Sequence, residues 1–386
     1  MGKYKISDTA KKQFLTLLRA GLWGKEADMG CFPEGSTPDW NGILYLGRTQ
    51  AVLPLVYDGM LTLPSDRQLK GPALMKLLAY VDKIEKLNME LNDAVTEISS
   101  RLSAEGIRSV LLKGQGLAAL YRNPLHRQCG DIDLYVGEEN YRKAADIIRQ
   151  WPEIHRELPE NIKHITFSYK NVEIELHRNA FQMPGSRLDR KYRIHERQEL
   201  ENGTDSVYAD IPVSDASAKG KTVVPPVLFN VFYTFCHAFS HFMISGLGLR
   251  QMCDVAVLLE RYGASLDLTL LHSWLKDYKL DKEWKMFICL LVDFLGLPPS
   301  KAPLYDNSLN SVSAKLLDTI FNDGNFGQYK SLPDYSRAPL LIRKTGSLIN
   351  HHILFIKRIR FSFRQTCMHY FHLWHIGLFN AFKEMN

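Results

Sequence analysis

Paired cysteines, long apolar runs and internal repeats are all missing from this chain. Its six cysteines, Cys31, Cys129, Cys236, Cys253, Cys289 and Cys367, form no CxxC pair and stand at no zinc-type spacing with histidine. That excludes a disulfide framework and a zinc ribbon, and it points to reduced, mostly buried thiols in a cytoplasmic protein. The opening Met-Gly-Lys-Tyr-Lys-Ile-Ser-Asp lacks the apolar core of a signal peptide, and Ile6 stands where N-myristoylation needs Ser or Thr. The most apolar long window, Val227 to Leu249, is interrupted by Asn230, His237, Ser240 and His241. It is too polar for a lipid-facing span, so no transmembrane segment is expected and a buried helix pair is. No low-complexity tract or familiar nucleic-acid module is visible. Charge is scarce as a bias too. From Arg337 onward eight Lys or Arg face one acid, Glu384, a net of +7 against +6 for the whole chain, so the rest is close to balanced.

What is present is ordinary globular material: 386 residues, 45% apolar and 23% charged, enough for two or three compact units. Periodicity predicts helices over residues 5–23, with Ser7 as N-cap, over 39–61, and from Pro72 to about Ala104. In the last, Leu74, Leu77, Leu78, Val81, Ile84, Leu87 and Leu91 recur at steps of three and four. At Gly106 the texture changes. Ile107–Leu112 and Asp131–Val136 read as strands, and Leu117–Tyr121 begins a short helix that Asn123-Pro124 breaks. Tyr141–Trp151 reads as a helix, and His164–Lys170 with Val172–His177 as a hairpin turning at Asn171. Residues 179–222 look polar and irregular, with a strand near Asp210–Val213, and helical patterns resume at Pro225. The expected division is an N-terminal helical region (1–105), a mixed α/β domain (106–222) and a C-terminal helical domain with a basic, aromatic tail (223–386).

The chemistry gathers between Ser109 and Val136. Side chains alternate faces along a strand, so Asp131 and Asp133 point to one side while Ile132 and Leu134 point to the other. Two carboxylates this close repel unless a cation sits between them, which suggests a divalent metal. Glu173 and Glu175 likewise share a face. Blander readings exist for several of these residues. A strand-end Lys113 reaches solvent, His177 packs or caps, and Asp254 on an apolar helix pairs with a base such as Arg250. His237 and His241, one helical turn apart without an HExxH pattern, form a buried pair or line a cleft rather than bind zinc.

Leu112-Lys113-Gly114, Tyr121, Arg127, Gly130-Asp131-Ile132-Asp133-Leu134 and Glu175-Leu176-His177 resemble a poorly characterised bacterial family of nucleotidyltransferases. That family belongs to the superfamily with the DNA polymerase β-like fold. A downstream helical segment with His237, Arg250 and Asp254 is similar too. The resemblance covers roughly residues 70–255. It implies an α+β protein with a small mixed-sheet nucleotidyltransferase fold flanked by N- and C-terminal helical regions. The implied reaction is Mg²⁺-dependent transfer of a nucleoside monophosphate from an NTP, with two Mg²⁺ or Mn²⁺ ions held by Asp131, Asp133 and Glu175. Glu175 is preferred to Glu173 because the family places the acid directly before Leu-His. Lys113, Gly114, Gln115, Gly116 and Arg127 would receive the triphosphate, and Glu173, His177, His237, Arg250 and Asp254 would border the substrate cleft.

The superfamily usually has Gly-Ser or Gly-Gly at the turn, so Gln115 removes an expected phosphate contact. The acceptor (small molecule, protein or RNA) is not legible. The rival readings are a catalytically silent nucleotide- or partner-binding relative and a toxin-like tRNA nucleotidyltransferase. The tail is read as a helical pair packed on the core, with an RNA-binding segment and a membrane- or partner-binding segment as alternatives.

Overall fold

Helix α1 (Asp8–Trp23) begins where the Ser7 side chain accepts the Ala10 N–H, and it stops at Gly24, whose φ of +61° favours glycine. These are the first elements of a computed structural model that describes residues 6–161, 163–201, 207–215, 220–329 and 340–383. The helix expected over 39–61 is two helices, α2 (Trp40–Thr49) and α3 (Leu53–Met60). The chain breaks at Ala51, in the left-handed region, and Pro54 sits in the first turn of the new helix, where its missing N–H costs nothing. Helices α1 and α3 touch backbone to backbone. A Cβ on Gly21 would lie 1.9 Å from the Leu55 carbonyl oxygen, and one on Gly59 2.0 Å from that of Leu17.

The long helix α4 (Gly71–Ala104) ties two regions together. Its Leu77 and Val81 pack with Leu53 and Met60, whereas Leu91, Val95, Ile98 and Leu102 pack behind the sheet. Then come β1 (Val110–Leu111), the one-turn helix α5 (Gln115–Ala118), β2 (Asp131–Tyr135) and α6 (Gly137–Arg149). Strands β3 (Ile154–Glu157), β4 (His164–Tyr169) and β5 (Val172–His177) complete a mixed sheet of order β1-β2-β5-β4-β3. Only β2 and β5 run parallel. Their register sets Asp131 opposite Glu173, Asp133 opposite Glu175 and Tyr135 opposite His177. One face of this pair therefore carries Ile132, Leu134, Ile174 and Leu176, all buried against α4 and α6. The other carries the acids.

Residues 179–222, expected to be irregular, contain α7 (Ser186–Leu200) and a separate hairpin of β6 (Val207–Ile211) and β7 (Gly220–Val224). Helix α7 buries only Tyr192, Glu196 and Leu200, too few apolar positions for its period to be legible. Glu196 accepts the Ala180 and Phe181 N–H groups at 3.0 and 3.2 Å, yet burial pushes its carboxyl up to about 8. A carboxyl raised from 4.5 in this way favours the protonated fold. Its stabilisation is complete below the unfolded value and is lost as pH rises through the folded one. Wild type should lose a few kcal/mol between about pH 4.5 and 8 that Glu196→Gln does not lose, at about 1.4 kcal/mol per unit. Urea melts of both proteins across that range test the difference.

The C-terminal region is helical: α8 (Val227–Ile244), α9 (Leu249–Tyr262), α10 (Leu268–Tyr278), α11 (Asp281–Asp293), α12 (Asn310–Asp323), α13 (Leu340–Arg358) and α14 (Phe363–Lys383). Phe235 of α8 meets Trp284 and Phe287 of α11 edge-on, with ring centroids 5.1 and 5.4 Å apart. Phe14 of α1 meets Phe321 of α12 at 5.9 Å. The N-terminal and C-terminal helices thus share one core, which also takes in Val110, Leu112 and Tyr135, while the back of the sheet has a second core of its own. Helix α8 is long and apolar enough to cross a bilayer by length and composition, but 67% of it is buried inside the fold.

Candidate active site

Strand period and parallel register together build the acid face. Asp131, Asp133 and Glu175 each present a carboxylate oxygen within 4.8 Å of the others. Asp133 is buried and Asp131 partly exposed. The chain enters this face through Lys113 and Gly114. Gly114 has φ +57° and ψ −121°, a conformation that a side chain would strain. Lys113 Nζ lies 3.0 Å from Asp133 Oδ1 and 3.1 Å from His237 Nε2 on α8. His177 Nε2 lies 3.0 Å from Asp133 Oδ1 and 3.2 Å from Glu175 Oε2. Both neighbours are acceptors, so this nitrogen carries a proton and donates. His164 Nδ1 lies 3.3 Å from Glu175 Oε2, with no hydrogen bond formed between them. Asn161 Oδ1 accepts the Lys163 and His164 N–H groups, which leaves its amide nitrogen to donate to His164 Nε2 at 2.6 Å. The remaining ring proton is thereby assigned to Nδ1, which makes no hydrogen bond of its own.

Above this face α8 and α9 close a cleft of about 260 Å³. Arg250 lines it, with Nη1 donating to the Gln128 carbonyl at 2.9 Å and the guanidinium 5.5 Å from the Phe326 ring centroid. Phe326 is 39% exposed and has φ +52°, an uncommon backbone for a residue with a side chain.

The electrostatics follow from crowding. The negative charge of Asp133 is the first cause that raises the Asp131 carboxyl, ahead of burial. Burial also works against Asp133, but Lys113 and then His177 hold its carboxyl well below the usual range. Burial pulls the Lys113 ammonium down, and Asp133 more than restores it. Burial, followed by Lys113, holds His237 well below the ordinary imidazole value.

The chain matches the family described as "Uncharacterised nucleotidyltransferase" over residues 36–296. It belongs to that family. A solved structure, an antigenic nucleotidyltransferase-like protein from Paracoccidioides brasiliensis, is similar over 57% of this chain and 96% of that one, at 13% identity and a TM-score of 0.33. No curated protein matches.

In this nucleotidyltransferase-family chain the cleft gathers Lys113, Gly114, Asp131, Asp133, Glu175, His177, His237, Arg250 and Asp254, with Arg127 at its wall. Gln115, Gly116 and Glu173 do not join them. Gln115 is 1% exposed, and neither polar atom of its side chain has a hydrogen-bond partner. Gly116 spends its N–H on the Lys113 carbonyl and packs where a Cβ would lie 2.8 Å from Val224 Cγ1. Its lack of a side chain serves packing. Glu173 is exposed at the start of β5.

Two pairings differ from those expected. Arg127, expected to receive phosphate, is already engaged at the cleft wall. Its Nε and Nη2 donate to Asp254 at 2.7 and 2.8 Å, and Tyr121 Oη donates to the same carboxylate at 2.7 Å. Asp254 is therefore held by Arg127, and Arg250 is left to face the cleft. The fork of Arg127 meets the carboxylate in two parallel bonds, a geometry Arg250 does not make.

Lys163, His164, His241 and Phe326 also line the cleft. Burial lowers Lys163, and burial followed by His177 brings His164 down to about 4. His164 was within reach of sequence reasoning, because counting outward from the β4–β5 turn pairs it with His177. His241 is expected beside His237 in a buried or cleft-lining pair, and it lines the cleft. No sequence signal marks Phe326, which sits in a short turn far along the chain. A larger cleft, about 720 Å³, opens beside α7, but three of its four arginines are paired internally, Arg178 with Glu160, Arg193 with Asp189 and Arg197 with Glu201.

Proposed function

We propose that this chain transfers a nucleoside monophosphate from an NTP to an acceptor hydroxyl, using Mg²⁺ or Mn²⁺. The observation that carries this reading is the convergence of Asp131, Asp133 and Glu175 oxygens within 4.8 Å on one sheet face, in a cleft that Lys163 and Arg250 also line. Three hard oxygen donors suit either ion, and the repulsion that raises Asp131 is what a cation would relieve. The His177 imidazole spends its Nε2 proton on Asp133 and Glu175 and acts here as a donor rather than a ligand. A bound ion would offset the charge that builds on the attacking and leaving oxygens.

The chain's own groups supply the rest. Arg250 and Lys163 in the cleft offer positive charge to a triphosphate. Lys113 keeps Asp133 ionised. Glu175, held by His177, would take the proton of the acceptor hydroxyl. That oxygen bonds to the α-phosphorus and the pyrophosphate leaves. Phe326 offers an exposed ring beside Arg250 on which a nucleobase can lie.

The reading is tested by incubating the protein with each labelled NTP, Mg²⁺ or Mn²⁺ and a cell extract, then identifying the labelled product. Transfer of an NMP moiety supports it. Binding of nucleotide without transfer to any acceptor favours a silent relative. Phe326→Ala should raise KM for the NTP about tenfold with little change in kcat, the scale of one lost base–aromatic stack. Steady-state kinetics with saturating acceptor would measure the split.

A further inference from the structure

The α13–α14 hairpin lies beyond the family match, which ends at residue 296, and among the described residues it adds none to the lining of the cleft. That hairpin is anchored from beneath. Arg358 is 1% exposed, donates from Nε to the Phe242 carbonyl at 2.8 Å and pairs with Asp323. Phe361 meets Phe242 edge-on at 5.2 Å, and the Gln365 amide donates to the Lys279 carbonyl at 2.8 Å. The opposite side is unusual. Ile356, Phe363 and Phe371 are 69%, 69% and 67% exposed, far beyond what such side chains show when they serve a fold. Ile349, one heptad before Ile356, is 46% exposed and lies on nearly the same helical face. Lys357 and Arg364 are exposed beside them, and residues 340–383 contain no Asp or Glu.

We propose that this outer face of α13–α14 docks on an anionic lipid bilayer. The combination of groups selects that occupant. Protruding Ile and Phe side chains lose water only by entering an apolar phase, and the lysine and arginine beside them meet the charge of acidic headgroups. A second copy of the chain would set two cationic, acid-free faces against each other. A nucleic acid would engage the cations and leave the apolar side chains in water. The rigid anchoring through Arg358 and Phe361 holds the face outward before any surface is met.

The test is sedimentation of the full-length protein with vesicles of phosphatidylcholine alone or mixed with phosphatidylglycerol, at low and raised salt. Binding is expected to the mixed vesicles and not to the neutral ones, and to weaken as salt rises. Ile356→Ser with Phe363→Ser and Phe371→Ser should abolish it, at positions too exposed to be needed for folding. Lys357→Gln with Arg364→Gln should weaken it about thirtyfold, at the usual contribution of a basic residue near an acidic surface. Wild type that ignores vesicle composition overturns the proposal without any variant. Unchanged binding by the apolar triple variant also overturns it. So does a concentration-dependent dimer that this variant dissolves, or retention on RNA that needs Lys357 and Arg364 but not the apolar side chains.

Discussion

Asp131→Asn is expected to lower NMP transfer by at least about a hundredfold, the scale of losing one preorganised charge contact in a transition state, while the fold is kept. Asp131 is the most exposed member of the acid set, and its carboxyl is raised chiefly by Asp133. Replacing it removes repulsion from the metal-free protein, so the thermal midpoint should hold or rise slightly. The neighbouring substitution is less clean. Asp133 is buried between Lys113 and His177. Asp133→Asn would leave a buried ammonium without its counter-charge, at about 3–5 kcal/mol. Loss of activity in that variant would mix chemistry with unfolding. Asp131→Asn should also weaken Mn²⁺ binding, followed by the electron spin resonance of the free ion. Wild-type turnover and wild-type Mn²⁺ affinity in Asp131→Asn would sink the carboxylate assignment.

Asp254→Ala should destabilise the protein by about 3–5 kcal/mol, the cost of stranding one half of a buried ion pair. The Arg127 guanidinium and Asp254 are both about 95% covered, and Tyr121 adds a third bond to the same carboxylate. This cluster joins the segment just before β2 to helix α9, so it spans the seam between the sheet and the C-terminal helices. Burial opposes the Arg127 charge, and Asp254 more than restores it. The Arg127→Met, Asp254→Leu double variant should recover much of the loss, because no charge is then left buried alone. Urea unfolding of the two single variants and the double variant, read as a cycle, measures the coupling. A loss under about 1 kcal/mol in Asp254→Ala would mean that the pair is a surface-like contact.

The pairing pattern shows where sequence reasoning reached and where it stopped. Asp131 and Asp133 could be placed on one face, and His164–Lys170 and Val172–His177 joined as a hairpin, from local periodicity. Both features depend on neighbours within a few residues. The short strand β1, the hairpin and the helical flanks were legible for the same reason. Helix α7 was not, since only Tyr192, Glu196 and Leu200 face inward and its charged residues mask the period. The break at Ala51 was hidden because a left-handed alanine leaves no compositional trace.

Among the site residues, Asp131, Asp133 and Glu175 could be named because strand geometry and the family pattern agree on them. Gln115 and Gly116 illustrate the opposite. A glycine-bracketed turn before a helix can cradle phosphate or simply let two backbones approach, and only the surroundings decide. Here Val224 packs against Gly116, and the Gln115 side chain is enclosed.

By itself, then, the sequence determined the acid face, the mixed sheet's hairpin and the basic character of the tail, because each follows from alternation or composition along a short stretch. The tertiary structure decided which charges remain for substrate. Arg127, two residues before Cys129, is consumed by Asp254 on a helix 127 residues away, while Arg250 on that same helix is freed to face the acids. It also brought His237, His241 and Phe326 over the sheet and left Ile356, Phe363 and Phe371 outside. Those outcomes depend on distances through space between groups far apart in the chain, and no local pattern encodes them.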